Sequence, residues 1–383
     1  MKKSILAIAA VLVAMLMCGG MLYAASDDYR VGGIFSVTGK ASWLGEPEKK
    51  TAEMLVEKIN AAGGINGHKL KLYIEDDQGD NTAAVNAAKK LINKNKVCAI
   101  IGPSVSGATM AILPVMQEAK IPLVSCAAAA VIVEPVAERK WIFKTPQKDS
   151  DAVRRIYEHM ISKGIKDVGL ITGTTGFGNA GRTQLKDLAP EYKMNIVADE
   201  TYGPADTDMT AQLVNIRNAK AQAVINWSIV PAQSIVPKNM KQLNMTIPLY
   251  QSHGFGNIKY VEAAGEAAEG IIFPAGRLLA VDTLSDDNPQ KAVLSAYKAE
   301  YEAKYNEPVS TFGGHAYDAL SIVVKALEKV GDDPAKIRDA IETIEFVGTG
   351  GVFKFSAEDH TGLDKNAFEM LTVKDGKFVV LTD

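Results

Sequence analysis

From Tyr29 onward, short apolar runs alternate with longer stretches in which apolar positions recur every three or four residues. Residues 30–35 read as a strand. Residues 46–62 read as a helix with Ala52, Leu55, Ile59 and Ala62 on one face, stopped by Gly63 and Gly64. A strand at 70–75, a helix at 82–93 and a strand at 97–101 follow, and such alternation predicts a parallel sheet covered on both faces. The polar, proline-bearing stretch 143–150 interrupts the rhythm and marks a crossover into a second series: helices at 151–163, 179–188, 208–218 and 234–243, strands at 168–172, 195–200, 223–227 and 249–251. Asp208 is the expected N-cap of its helix. A strand at 271–273 leads into Pro274-Ala275-Gly276, a second crossover, and helices are expected at 289–305, 313–330 and 334–342. The tail changes to short strands at 352–355, 368–373 and 378–381, joined by turns such as Asp375-Gly376.

The 383 residues suit two domains of ordinary size. Lys2 and Lys3, an apolar run at 5–17 and the small residues Ala24 and Ala25 form the pattern of a cleavable secretory signal peptide, too short to span a bilayer comfortably. Cleavage is expected after Ala24 or Ala25. Cys18 offers a lipid anchor instead, but Met17 stands where lipoprotein signals carry a small residue. Removing the leader takes away two lysines and leaves the remainder more acidic than the full chain's net charge of −3. An acidic exported chain without basic clusters is a poor partner for nucleic acid or anionic membrane. Cys98 and Cys126 are expected as buried free thiols, since cysteines on parallel strands rarely meet disulfide geometry, and no metal-ligand spacing is present.

The stretch from Ile100 to Gly107 carries the most chemistry. A buried strand breaks at Gly102-Pro103 and re-enters a helix through Ser104, Val105 and Ser106, leaving backbone N–H groups and a hydroxyl at a helix start, which suits a small carboxylate. Locally, Ser106 reads equally well as a plain N-cap. A second small-residue strand exit, from Val124 to Ala130, opens backbone groups to a ligand, and in open α/β sheets such ends line the ligand crevice. Gly176, Gly178 and Gly181 match the dinucleotide fingerprint, with Asp199 and Glu200 about twenty residues on. However, Gly173-Thr174-Thr175 separates strand from motif, so a glycine-rich loop at a cleft is the competing reading. The serines form no nucleophile elbow. The five histidines show no metal spacing, and all but His253 are expected on the surface or on helices.

The block from Asn60 to Leu70, the following Asp76-Asp77 and the turn from Ile101 to Ser106 together resemble the leucine/isoleucine/valine-binding proteins, type I periplasmic receptors of ABC importers, over essentially the whole exported chain. The resemblance implies an α/β fold of two Rossmann-like lobes, parallel sheets flanked by helices, joined by a three-strand hinge. Residues 1–25 would be the signal peptide, 26–146 with 275–351 one lobe, and 147–274 with 352–383 the other. The third crossing would lie near 350–355. It also implies a non-enzymatic, cofactor-free, metal-free monomer that captures a small carboxylate by cleft closure and hands it to a membrane permease.

Residue by residue, the family's carboxylate-binding serine falls on Ser106, supported by the amides of Gly107 and Ala108. The next binding loop falls on Ala127 to Ala129, where amino-acid binders carry a threonine at the position of Ala129. Phe177 and Trp227, with Trp43 or its neighbour Leu44, are expected as apolar walls. His253 stands at the position of the acid that receives the ligand's ammonium. Burying an ammonium without a counter-charge costs several kcal/mol, so an aromatic or aliphatic acid competes with an amino acid as ligand. A secreted NAD(P)-dependent oxidoreductase and a sensory ectodomain without a transport role stay open at this point.

Overall fold

The computed structural model describes residues 28–382. The expected leader, with Cys18, Ala24 and Ala25, lies outside the described residues. Strands β1 (Tyr29–Phe35), β2 (Leu70–Asp76), β3 (Ala99–Ile101), β4 (Leu123–Ser125) and β5 (Ile142–Lys144) form a five-stranded sheet in the order β2-β1-β3-β4-β5, every pair parallel. Strands β6 (Asp167–Gly173), β7 (Asn195–Tyr202), β8 (Ala223–Trp227), β9 (Leu249–Gln251) and β10 (Ile272–Ala275) follow, then a hairpin of β11 (Glu345–Val347) and β12 (Val352–Lys354), then β13 (Glu369–Lys374) and β14 (Lys377–Val380). The second sheet has seven strands in the order β14-β13-β10-β9-β8-β6-β7, parallel except for the antiparallel β10-β13 and β13-β14 pairs. Asp375 and Gly376, both at positive φ, make the two-residue turn of the last hairpin.

The helices are α1 (Ser42–Ala61), α2 (Asn81–Lys90), α3 (Ser106–Ala119), α4 (Asp149–Ser162), α5 (Gly176–Leu188), α6 (Thr210–Asn218), α7 (Ile235–Gln242), α8 (Ile258–Ala264), α9 (Lys291–Tyr305), α10 (Thr311–Val330) and α11 (Pro334–Ile341). Helix α10 is apolar over much of its girth because Ala316, Leu320, Val323 and Leu327 share one core with Val31, Ile101 and Phe143 of the first sheet. Phe353, Phe355, Leu363 and Ala367 belong to that same core. The chain therefore joins the second sheet for the last time at Glu369, after the 350–355 stretch where the sequence suggested that passage.

Other departures are local. Helix α2 ends at Lys90 and unwinds through a π turn, Leu91–Asn95, before Lys96 turns left-handed at φ 55°. Helix α6 starts at Thr210 with Met209 at its N-cap, yet the Asp208 carboxylate still accepts from the Thr210 amide at 2.8 Å. His360 is neither exposed nor helical: it is buried, stacked on Phe143 at 4.2 Å, with Nδ1 2.8 Å from the Ile142 carbonyl. Cys98 and Cys126 are buried free thiols, and burial raises the pKa of both. Among the described residues no helix is long and apolar enough to cross a membrane.

Each sheet reverses its strand order beside its first strand, between β1 and β3 and between β6 and β8, the places where open α/β sheets hold ligands at their carboxyl ends. Gly102 ends β3 at φ +85°, and a methyl group there would sit 2.0 Å from the Ile34 carbonyl oxygen. Gly102→Ala is therefore expected to cost about 1–3 kcal/mol from backbone strain alone, with the clash added. A urea midpoint lowered accordingly, without a change in slope, is the check.

Candidate functional site

The residues just past the strand ends of both sheets line one small, partly open cavity, the place where such folds hold small molecules. One wall is polar or small: Ser104, Ser106, Cys126, Ala127 and Ala128. The opposite side is Phe177, Ile229 and His253, and Leu44, Phe312 and His315 close the remainder.

On the polar side, Ser106 is the first residue of α3 and Val105 is the N-cap, so the N-cap reading of Ser106 does not hold. The backbone amides at the first turn have no intrahelical acceptor. The Ser106 hydroxyl accepts weakly from the Ala129 amide at 3.3 Å, which leaves its proton free to donate. Ser104 is locked: its hydroxyl accepts from the Ser36 amide at 2.9 Å and donates to buried Glu48. Burial pushes the Glu48 carboxyl well above its ordinary range, so the neutral form is favoured.

Of the residues expected from sequence, Ser106, Ala127, Phe177 and His253 meet at the cavity. The other four do not line it. Ala129 sits behind, using its amide on Ser106. Trp227 is fully buried one layer back, its ring 5.7 Å from both Phe177 and His253, and a methyl at Gly181 would strike its Nε1 at 2.0 Å. Trp43 turns its ring to Tyr260 at 5.1 Å, and its neighbour Leu44 provides the wall. Gly107 faces the outer groove, against the backbone of Gly176.

That last contact joins the two halves. A methyl group on Gly176 would lie 2.7 Å from both N and Cα of Gly107, so α3 and α5 approach this closely only because residue 176 is a glycine. Nearby, Pro47 inside α1 has no N–H to give the carbonyl of Trp43, and that carbonyl accepts instead from Asn257 Nδ2 at 2.8 Å across the cleft. Lys259 reaches Glu46 at 3.4 Å, and Gly256 accepts from the Thr311 amide at 3.0 Å. These contacts bridge the two sheets and their helices in a closed arrangement.

The dinucleotide motif is otherwise engaged. Thr175 caps the Gly178 amide, a Cβ at Gly178 would fall 1.8 Å from the Gly173 carbonyl, and Asp199 is held by Arg182 at 2.7 and 2.8 Å. The glycines serve close packing, and the acid that would bind a ribose is already paired.

His315 escaped the sequence reading. It lies on the apolar stripe of α10 with Phe312 and Ala319, which helical spacing makes visible, but only the tertiary arrangement shows that this end of the stripe faces the cavity. Burial, with the charge of Lys144 adding to it, drives the His315 pKa down to about 3 and that of His253 well below its ordinary value. Lys144 itself is buried at the end of β5, donating to the Pro146 carbonyl at 2.5 Å, and desolvation lowers its pKa against the attraction of Asp149. Among the described residues no aspartate or glutamate lines the cavity.

Two open-ended α/β sheets meeting at a small cavity between their strand ends define a solute receptor of the bilobal cleft type. Residues 28–377 match the family described as periplasmic binding protein, and the chain belongs to that family, in its branched-chain amino acid type. It is 25% identical to the leucine-, isoleucine-, valine-, threonine- and alanine-binding protein of Pseudomonas aeruginosa, over 96% of this chain and 97% of that one. An extracellular ligand-binding receptor from Rhodopseudomonas palustris HaA2 superposes with a TM-score of 0.86 at 29% identity, covering 93% of this chain and all of that one. A solute binding protein of an ABC transporter from Rhodopseudomonas palustris, solved in complex with benzoate, shares the fold at a TM-score of 0.80 and 24% identity, over 92% of this chain and 95% of the other. The family is non-enzymatic, which removes the oxidoreductase reading.

Gly176→Ala should hold the lobes apart. Ligand affinity is expected to fall roughly tenfold or more, a loss of about 1.4 kcal/mol or more, while the melting temperature without ligand stays close to the parent's. Calorimetric titration, with small-angle scattering to follow closure, measures both.

Proposed function

We propose that this protein is the extracytoplasmic receptor of an ABC importer and that its ligand is a small, largely apolar carboxylate without an ammonium group. The observation that carries the reading is the charge inventory of the cavity: among the described residues no carboxylate lines it, His253 does, at the position where the resemblance expects the ammonium's acid, and the buried Lys144 depresses both cavity histidines. An ammonium enclosed there would lose its hydration with no counter-charge to offset the loss.

The carboxylate belongs at Ser106, where a free hydroxyl proton and the first-turn amides of α3 offer donors and the helix N-terminus contributes about 0.3–2 kcal/mol. Ala127 and Ala128 keep that end open to the backbone. Phe177, with Trp227 stiffening it from behind, and Leu44, Ile229 and Phe312 enclose the apolar body. The relatives' names span both ligand kinds, aliphatic amino acids in one and benzoate in another. Ligand bridging both lobes shifts the open–closed equilibrium by its differential affinity, and the closed form is what a permease recognises.

The test is a thermal-shift panel on refolded, ligand-stripped protein, setting leucine, valine and phenylalanine beside benzoate, phenylacetate and branched aliphatic acids. At a hundredfold its dissociation constant, a true ligand stabilises by about 2.7 kcal/mol. Stabilisation by the simple acids and not by the amino acids is expected; the reverse would overturn the reading. His253→Glu should invert the preference, gaining amino-acid binding and weakening the simple acids at least roughly tenfold through like-charge repulsion and desolvation.

A further inference from the structure

His253 and His315 line the same cavity from different parts of the fold. His253 comes from the turn after β9 in the second sheet, and His315 from α10, which packs on the first. Aromatic rings hold His253 without offering it a hydrogen bond: Phe177 at 5.3 Å, Trp227 at 5.7 Å and Phe368 at 5.5 Å, all roughly edge to face. Both of its ring nitrogens are buried and unpartnered, and so is Nδ1 of His315. Three buried nitrogens without partners, on two imidazoles lining one cavity, are a cost that native interiors seldom carry unless something arrives to satisfy them.

What would satisfy them follows from protonation. Burial keeps both rings neutral, and the charge of Lys144 pushes both the same way, with His315 adding to it at His253. A neutral imidazole presents one N–H and one lone pair. A second carboxylate would use the N–H groups alone and would bring a second charge into a desolvated site. An ammonium could only donate, and Lys144 opposes it. A carbonyl would use the N–H groups alone. A hydroxyl accepts from one ring and donates to the other.

We infer that His253 and His315 form a two-imidazole reader of a hydroxyl group carried by the ligand away from its carboxylate, so that the preferred ligands are hydroxylated acids. This rests on the carboxylate reading above and narrows it. Because one imidazole comes from each lobe, the ligand hydroxyl also ties the lobes together, and its contribution is present only in the closed form.

The experiment compares matched acids by calorimetric titration of ligand-stripped full-length receptor: benzoate and 4-fluorobenzoate with 3- and 4-hydroxybenzoate, and phenylacetate with its 3- and 4-hydroxy forms. At least one hydroxy acid should bind roughly tenfold or more tightly than its parent, since a site built to hydrogen-bond a hydroxyl rejects the analogue lacking it. In H315F and H253F, and in H315L and H253L should the larger ring fail to fold, that gap should close while the parent acid still binds, which also certifies the fold. The gap should be unchanged between pH 5.5 and 8, as neutral rings require. Acids that bind with no hydroxyl advantage, an advantage that survives both histidine substitutions, or affinity that falls as pH rises through the ordinary histidine range would overturn this inference and leave the carboxylate reading standing. Binding of amino acids with no response to any simple acid would remove both.

Discussion

The approach of two backbones, Gly107 against Gly176, sets the conditions for everything else in the cleft. With a methyl group at Gly176 falling 2.7 Å from Gly107, the separation exists only because Gly176 has no side chain. Ser106 precedes one of these glycines and Phe177 follows the other, so the same approach that closes the cleft brings the polar end and an aromatic wall into one cavity. The proline in α1 works towards the same end by another route. It frees a carbonyl that a helix would otherwise consume and offers it to Asn257 across the gap. Closure is thus written into backbone chemistry, and the side chains inside the cavity are free to specialise.

Their specialisation is electrostatic. The nearby buried acids do not reach the cavity wall: Glu48 is masked by Ser104, and Asp149 is set against Lys144 and the Ala130 and Ser150 amides. What remains inside is a helix start, a free hydroxyl proton, two neutral imidazoles and a ring of apolar carbon. Such a lining favours an anion at one end and an uncharged polar group at the other, and it disfavours a cation anywhere. A family fold that serves amino acids elsewhere can change its ligand class by moving one charge, because the lobes and hinge contribute nothing to which end of the ligand is charged.

Much of the architecture was legible in the residues because strand and helix periods are local signals. The strands at 223–227 and 249–251 fall where the apolar runs put them, and the long helices differ by a residue or two at their ends. What could not be read depends on distant chain. The three-residue strand β5 was hidden in a stretch that looked like linker, because its lysine is buried and its backbone amide donates to the carbonyl of His360, far along the sequence. Gly176, Gly178 and Gly181 present one local pattern for two purposes, cradling a phosphate or admitting a neighbouring backbone, and only the positions of Gly107, Gly173 and Trp227 separate them. Ser106, Ala127, Phe177 and His253 were visible because strand exits are where such folds keep their chemistry. Leu44 in place of Trp43, and His315 on an apolar helix face, were decided by which end of a helix meets the cleft.

The most direct measurement is native mass spectrometry of the receptor purified without denaturation, with the small molecule it carries released and its composition determined. A carboxylic acid containing no nitrogen is the outcome expected from a cavity without a carboxylate. Release of an amino acid would mean that an ammonium is accommodated without a counter-charge in the lining, and would contradict the account at its centre.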